Sequence, residues 1–178
     1  MGIEADEETL CRIMLDLQHQ GAHNINLVTP APHVPLIACT LPLARQAGLT
    51  IPVVYNTNAY ENVQTLKMLE GLIDIYLPDF KYVSAPLAKK YSDAEDYFAI
   101  AAQAIAEMYR QVGNIKLDEN GMAASGLLIR HMVLPGCVDD TRRVLDYVSA
   151  NYPKNVYISI MSSMPRRRTI CPGPSIAA

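Results

Sequence analysis

The chain has 178 residues, 50% of them hydrophobic on a broad count, and a net charge of −3 at pH 7. This length fits a single domain, and the lack of a basic excess argues against nucleic acid or an acidic membrane as a partner. No apolar run approaches the roughly 20 residues that span a bilayer, and the acidic start is unlike a signal peptide. We expect a cytoplasmic protein that handles small molecules.

The apolar pattern along the chain alternates between helical and strand spacing. Helices are predicted at 7–19, 34–47, 61–70, 85–91, 93–112 and 139–150, and a polar turn region at 114–125. Strands are predicted at 24–29, 51–55, 72–77, 126–134 and 156–161. Residues 1–161 are therefore assigned to one domain. Residues 162–178, basic and rich in proline, are expected to form a disordered tail.

Strands separated by helices predict an α/β fold with a parallel sheet. A complete (β/α)8 barrel needs about 250 residues, so either a partial parallel (β/α) barrel or an open doubly wound sheet is expected. The chain begins on a helix that would normally follow a strand, which suggests a truncated amino terminus. The strand at 24–29 would then be an unprotected sheet edge and a site of self-association.

Cysteine and histidine spacing gives no metal site. The four cysteines lie far apart without a CxxC pair, which argues against a disulfide framework and a zinc clip. His19 and His23 have the spacing of a metalloprotease helix, but Gly21 lies between them and the glutamate base is absent. Structural roles are expected for His33 and His131.

Polar residues concentrate where the predicted strands end. In parallel α/β folds, ligands bind at the carboxyl ends of strands, and amides, hydroxyls, a carboxylate and cations together suit a zwitterionic ligand. Each residue also has a structural alternative as a cap, a turn former or a surface ion pair. The candidates are Asn24, Asn26, Thr29, Asn56, Thr57, Asn58, Asp79, Lys81, Arg130, His131, Ser159 and Ser162.

Four segments in order, GAHNINLVTP (21–30), VVYNTNAYE (53–61), IDIYLPDFKY (73–82) and LLIRHMVLPG (127–136), resemble radical S-adenosylmethionine proteins. The resemblance is to the uncharacterised branch akin to pyruvate formate-lyase-activating enzymes. It implies a partial barrel of about six strands, five of them present here. It also implies a 4Fe-4S cluster that binds S-adenosylmethionine and cleaves it reductively, with a flavodoxin or ferredoxin as electron donor and a partner protein or substrate to be activated.

The resemblance also implies site residues. Asn24, Asn26 and Thr29 occupy the strand end where relatives carry a Gly-Gly-Glu element, with asparagines here instead of the carboxylate. The remaining residues implied to contact the methionine carboxylate, the ribose, the adenine or a monovalent cation are Asn56, Thr57, Asn58, Asp79, Lys81, Arg130 and Val133. The CxxxCxxC motif that ligates the cluster is absent, so no metal ligands are assigned and the chain alone is expected to be catalytically inert.

Two alternatives remain open from the sequence. The first is a binding module that keeps a nucleoside or amino-acid pocket without cluster chemistry. The second, less favoured, is a lyase that forms a Schiff base on Lys81.

Overall fold

The computed structural model describes residues 5–162, which form one sheet with helices packed against one side. The helices are α1 (Glu7–His19), α2 (Val34–Gln46), α3 (Val63–Lys67), α4 (Ala85–Ser92), α5 (Tyr97–Val112) and α6 (Val138–Asn151), and a 3-10 turn (Ala31–His33) precedes α2. The strands are β1 (Ile25–Val28), β2 (Val53–Thr57), β3 (Ile75–Pro78), β4 (Lys116–Leu117), β5 (Ala123–Val133) and β6 (Tyr157–Ser162). None of the helices among these residues is long and apolar enough to cross a membrane.

The helix predicted at 7–19 is confirmed at both ends, because its capping signals are local. The Asp6 carboxylate accepts a hydrogen bond of 2.9 Å from the Thr9 amide, and Glu7 and Glu8 place negative charge in the first turn. At the other end Gly21 takes a positive φ of 87°, which glycine adopts readily. Met14 turns into the core from the buried side of α1.

The parallel arrangement is confirmed, and the strand order decides between the two predicted architectures. β1, β2, β3, β5 and β6 lie side by side in chain order, and each neighbouring pair is parallel. A doubly wound sheet reverses its order at a switch point, whereas a barrel adds each strand beside the previous one. The fold is therefore a partial parallel (β/α) barrel. Within residues 5–162 it does not close.

The turn region predicted at 114–125 is wrong in part, because it contains a short antiparallel hairpin. β4 pairs with the first residues of β5, and the Asp118 carboxylate accepts hydrogen bonds from the amides of Asn120 and Met122 in the turn. Two residues are too few to show an alternating pattern, so β4 gave no sequence signal. β5 consequently begins three residues earlier than predicted, and the sheet has six strands.

Other boundaries differ where tertiary contacts decide them. β2 continues to Thr57 because its carbonyls at Asn56 and Thr57 accept hydrogen bonds from Thr29 and Asp79. The helix predicted at 93–112 begins only at Tyr97, because Asp93 takes a left-handed φ of 51° and ends α4. β6 includes Ser162, one residue past the predicted domain end, and the rest of the predicted tail lies outside the described residues.

The core lies between the sheet and the helices. Residues that pair in register across parallel strands point to the same side, and alternate residues point to opposite sides. Val53, Tyr55, Tyr76, Leu127 and Ile129 face the helices and are fully buried. The opposite side, which we call the inner face, carries the alternate residues and is where the side chains of Asn56, Asp79 and Arg130 meet.

Gly126 is required at the start of the parallel part of β5. Its φ is 117°, and a Cβ atom there would lie 2.4 Å from the Asn114 carbonyl oxygen and 2.5 Å from the Ile115 Cα atom. The close approach lets the Gly126 amide donate to the Asp74 carbonyl while β4 lies against β5.

We therefore expect Gly126→Ala to lower the free energy of unfolding by more than about 3 kcal/mol, since it combines backbone strain with a backbone clash. Gly121→Ala is the matched control, because Gly121 also has a positive φ but no atom within 4 Å of the added methyl group. Urea denaturation followed by circular dichroism measures both. Equal losses for the two variants would contradict the role given to the close approach.

Candidate functional site

The carboxyl ends of β2, β3 and β5 converge on one arginine. Arg130 and Asp79 are aligned in adjacent strands, and Arg130 pairs on its other side with Ser159 of β6. The Arg130 Nη2 atom lies 2.7 Å from Asp79 Oδ1 and donates a hydrogen bond of 2.8 Å to Asn56 Oδ1. One guanidinium thus connects three neighbouring strand ends on the inner face.

The arginine retains hydrogen-bonding capacity that the protein does not use. Arg130 Nε is buried and has no hydrogen-bond partner in the part of the chain that the structure describes. The side chains of Arg130 and Asp79 are each 26% exposed, so their pair is partly shielded from water but reachable. A buried N–H without an acceptor is costly. An anionic or carbonyl oxygen of a ligand would satisfy it.

The chain that carries Asp79 and Lys81 is held rigidly by its backbone. The Asp79 amide donates to the Thr57 carbonyl, and the Phe80 amide donates to the Arg130 carbonyl, both at 2.8 Å. These bonds fix the segment against β2 on one side and β5 on the other. The side chains at positions 79 and 81 are therefore presented from a fixed frame.

Tyr97, at the start of α5, adds a second restraint to this segment. Its hydroxyl accepts a hydrogen bond of 3.1 Å from the Lys81 amide and lies 2.7 Å from the Asp79 carbonyl and 2.9 Å from the Asn58 carbonyl. Its single proton donates to one of these carbonyls at a time. Burial raises the pKa of Tyr97 well above its usual range, so the hydroxyl remains a donor at physiological pH.

His131 and Asp140 hold the segment from the side of α6. Because a carbonyl oxygen can only accept, His131 Nδ1 carries the proton that it donates to the Phe80 carbonyl at 2.7 Å. His131 Nε2 lies 2.9 Å from the Thr141 hydroxyl. The Asp140 carboxylate accepts from the amides of Val83 and Ser84. The structural role predicted for His131 is confirmed, since both ring nitrogens are engaged in the buried interior.

A cavity of about 230 Å³ opens beside the arginine. Charged groups line one part of it and apolar side chains the other. Its lining residues are Asp79, Lys81, Tyr82, Arg130, Met132, Leu134 and Met161. This volume is below the usual range for drug-sized ligands, roughly 300–1,000 Å³, and fits an amino-acid-sized group.

Lys81 also lines a second cavity of about 190 Å³ on the side of α5. The other residues around it are Asn58, Tyr60, Ser92, Asp93, Ala94 and Tyr97. The Tyr60 and Tyr97 rings are stacked there at a centroid distance of 6.2 Å. A larger open groove of about 900 Å³ lies between α1 and α2, within the helix layer and remote from the strand ends.

The structure brings together only some of the residues expected from the sequence. Asn56, Asp79 and Arg130 are in direct contact, and Lys81 lies beside them. The Asn58 side chain accepts a hydrogen bond from the Tyr60 amide and shapes the turn after β2. The Asn58 backbone carbonyl is connected to the site through the Tyr97 hydroxyl, which lies 2.9 Å from it.

The Thr57 side chain is directed away from the inner face. It is 3% exposed and donates a hydrogen bond to the buried Glu61 carboxylate, which also accepts one of 2.7 Å from the Tyr55 hydroxyl. Val133, at the end of β5, has the same strand parity as the helix-facing Ile129. Ligand contact by Thr57 or Val133 stays a prediction, and their side chains lie on the opposite side of the sheet from Arg130.

The three candidate residues near β1 do not lie together at one end of the strand. Asn24 precedes β1 and lies at its amino end, so its placement at the carboxyl edge was wrong. In a parallel sheet all the amino ends of the strands lie on one side and all the carboxyl ends on the other, so a residue before β1 cannot lie with residues that follow the strands. Asn26 is exposed on the inner face, aligned with Val54, and Thr29 follows the strand with a positive φ of 52°. A ligand role for these three residues stays a prediction.

Sequence reasoning missed Tyr97, Met132 and Met161. Tyr97 lies 16 residues after Lys81 on a helix, and its position gave no signal. Met132 and Met161 alternate with helix-facing residues on β5 and β6, so the strand period could have placed them on the same face as Arg130.

We expect Tyr97→Phe to lower the free energy of unfolding by about 1–3 kcal/mol, because it leaves the Lys81 amide and a buried carbonyl without a partner. Tyr60→Phe is the control and should cost less, since the Tyr60 hydroxyl bonds Asp96 at the surface. Hydrogen exchange of the Lys81 amide separates a local from a global effect. Unchanged protection of that amide in Tyr97→Phe would contradict the restraint.

The described part of the chain does not form a metal site. Within residues 5–162 no group of three or more histidine, cysteine, aspartate or glutamate side chains is placed to hold a metal ion. Cys11 lies on α1, Cys39 on α2 and Cys137 directly before α6. These described residues therefore do not fit the ligand set of an iron-sulfur cluster.

Comparison with known proteins supports the fold. No protein-family model matches the chain. An uncharacterized protein of Methanocaldococcus jannaschii is 30% identical over 141 residues, which are 78% of this chain and 36% of that protein. The crystal structure of methylornithine synthase superposes with a TM-score of 0.56 at 15% identity, over 92% of this chain and 45% of that one. The chain thus spans less than half the length of either protein. At 15% identity, the similarity to methylornithine synthase is a similarity of fold.

Proposed function

We propose that the chain is part of a radical S-adenosylmethionine protein, akin to pyruvate formate-lyase-activating enzymes, and that its strand-end site binds the methionine portion of S-adenosylmethionine. The observation that carries the proposal is the buried Arg130 Nε atom, which has no partner in the described chain, beside a carboxylate and an apolar wall. The sequential parallel sheet supports it, as does the fold likeness to methylornithine synthase. A cytoplasmic location belongs to the same proposal.

The charges of the site complement an amino-acid group. A ligand carboxylate can accept from Arg130 Nε, and a ligand ammonium can donate to Asp79, and both side chains are largely shielded from water. The cavity also has an apolar and polarisable wall, formed by Met132, Leu134 and Met161. This wall can pack against the methylene chain that joins the amino-acid group of the ligand to its sulfonium sulfur. The residues of this chain thus bind and orient; they do not themselves supply a redox group.

We assign no radical step to this chain alone. In the proposed family the cluster supplies the electron that cleaves the sulfonium of S-adenosylmethionine, and the described residues do not fit its ligand set. Activation of a partner protein, and a flavodoxin or ferredoxin as electron donor, are proposals for the longer protein of which this domain would be a part.

A binding module without cluster chemistry is the second candidate, and the same site supports it. The cavity with Arg130 and Asp79 needs no metal to hold an amino-acid group. A Schiff base on Lys81 has less support, because the nearby carboxylate of Asp79 already contacts Arg130 and is not poised as a separate acid or base.

Isothermal titration of the purified chain with S-adenosylmethionine, without iron, tests the site. We expect saturable binding, and we expect Arg130→Gln to weaken it at least about tenfold, because a charge-assisted hydrogen bond to a carboxylate is lost. Arg142→Gln is the matched control, since Arg142 bonds only Asp139 at the surface of α6 among the described contacts.

Methionine and adenosine, titrated separately, show which part of the ligand the site recognises. The proposal expects methionine to compete and the Arg130→Gln variant to lose that competition. Circular dichroism first establishes whether Arg130→Gln is folded. If it is not, Arg130→Lys replaces it in the titrations, because lysine keeps the positive charge but lacks the planar guanidinium. Absence of binding by the unaltered chain at millimolar ligand would overturn the proposal.

A further inference from the structure

The tip of the β4–β5 hairpin joins an asparagine to a glycine. Asn120 is followed by Gly121, whereas the other eight asparagines of the chain are each followed by a residue with a side chain. Asparagine is chemically labile before glycine, because the next backbone nitrogen can attack the side-chain carbonyl carbon and no side chain obstructs the attack. Asn120 is therefore the one asparagine whose neighbour leaves this reaction unhindered.

The hairpin tip leaves both reacting groups accessible. Asn120 and Gly121 are exposed, and the hydrogen bond that Asn120 makes to Asp118 comes from its backbone amide, not from its side chain. A Cβ atom built at Gly121 would have no atom within 4 Å, so the ring that the attack closes has space around it. The φ of Gly121 is 77°, a conformation that glycine adopts readily.

One carboxylate restrains this turn. The Asp118 carboxylate accepts hydrogen bonds of 2.9 Å from the Asn120 amide and 2.8 Å from the Met122 amide. The Asp118 carbonyl accepts one of 3.1 Å from the Gly121 amide, whose nitrogen is the attacking atom. While these bonds hold, the nitrogen is engaged and the reaction must wait for the turn to open. Exposed hairpin tips open at little cost in free energy.

We propose that Asn120 is a site of spontaneous deamidation whose rate is set by the Asp118 carboxylate. The Gly121 nitrogen forms a bond to the Asn120 Cγ atom, and the bond from Cγ to the side-chain nitrogen breaks. That nitrogen leaves as ammonia with the proton of the Gly121 amide. Water then adds to one of the two carbonyl carbons of the succinimide and opens the ring to aspartate or isoaspartate. No electrons are exchanged, and water is the only co-reactant.

The isoaspartate product loosens the hairpin and leaves the candidate site intact. Its backbone runs through the side-chain carbon, which inserts one methylene group before Gly121. The Asp118 amide, which donates 2.8 Å to the Met122 carbonyl across the turn, then loses its register. β4 has two residues and offers few other bonds to hold the hairpin. The part of β5 that reaches Arg130 pairs with β3 and β6 and not with β4.

Peptide mapping of the purified 178-residue chain, incubated at mildly alkaline pH and physiological temperature, tests the site. Trypsin cleaves after Lys116 and Arg130 and so releases residues 117–130, in which Asn120 is the only asparagine. We expect this peptide to gain the mass difference between a hydroxyl and an amino group. We also expect it to separate into two products, one with aspartate and one with isoaspartate.

Two comparisons show whether the glycine is responsible. Gly121→Ala should slow the reaction at least about tenfold, because a Cβ atom disfavours the backbone conformations that the ring requires. Asn114, two residues before β4 and followed by Ile115, is the internal control and should stay unmodified in the same digest.

Variants at positions 118 and 119 test the restraint. Asp118→Ala removes the acceptor of two turn amides and should raise the rate at least about threefold, toward that of a synthetic peptide of residues 117–130. Glu119→Ala removes the same charge from the neighbouring exposed residue and should leave the rate unchanged, because the turn amides bond Asp118 instead.

Hydrogen exchange gives an independent measure of the hairpin. As isoaspartate accumulates, exchange of the Asp118 amide should quicken, while that of Ile129, in the part of β5 paired with β6, should not change. An intact Asn120 in the folded chain after the synthetic peptide has fully converted would overturn the proposal. Equal rates in Asp118→Ala and Glu119→Ala would overturn the role given to the Asp118 carboxylate.

Discussion

The sharing of one guanidinium between three strand ends is the constraint on which the candidate site depends. Parallel strands bring their carboxyl ends to one edge, where side chains from Asn56 and Asp79 meet Arg130. Two acceptors at this position use one nitrogen of the arginine and leave Nε buried, with no partner among residues 5–162. The arrangement is thus held in place by the sheet but incomplete in its hydrogen bonding. That combination is why we propose a binding site here and not an ordinary ion pair.

The rigidity of the site comes from groups that do not face the ligand. Tyr97, His131 and Asp140 hold the backbone between Asp79 and Ser84 from α5, β5 and α6. Polar groups that are buried and have all their hydrogen-bond partners hold a neighbouring side chain in one geometry. The helices of the partial barrel therefore contribute to the site even though they lie on the opposite side of the sheet.

The sequence predicted the elements better than the contacts between them. The helix α1 was recovered from its apolar spacing and from Gly21 as a local stop signal, and the five parallel strands were recovered from apolar runs. Asn24 was misplaced because a polar residue beside a strand does not reveal which end it occupies. Tyr97 was missed because its partners are remote in sequence. The Thr57 side chain bonds Glu61 on the helix side of the sheet, because the side that a strand residue faces depends on the register of its strand, which the sequence did not fix there.

The most direct test of the account places the ligand beside the apolar wall of the cavity. S-adenosylmethionine labelled with 13C on its sulfonium methyl group is added to the chain, and intermolecular nuclear Overhauser effects are recorded. The account predicts effects between that methyl group and the methyl groups of Met132 or Met161, which line the cavity with Arg130. Effects to Leu36 or Leu43, in the groove between α1 and α2, or no bound signal at all, would contradict it.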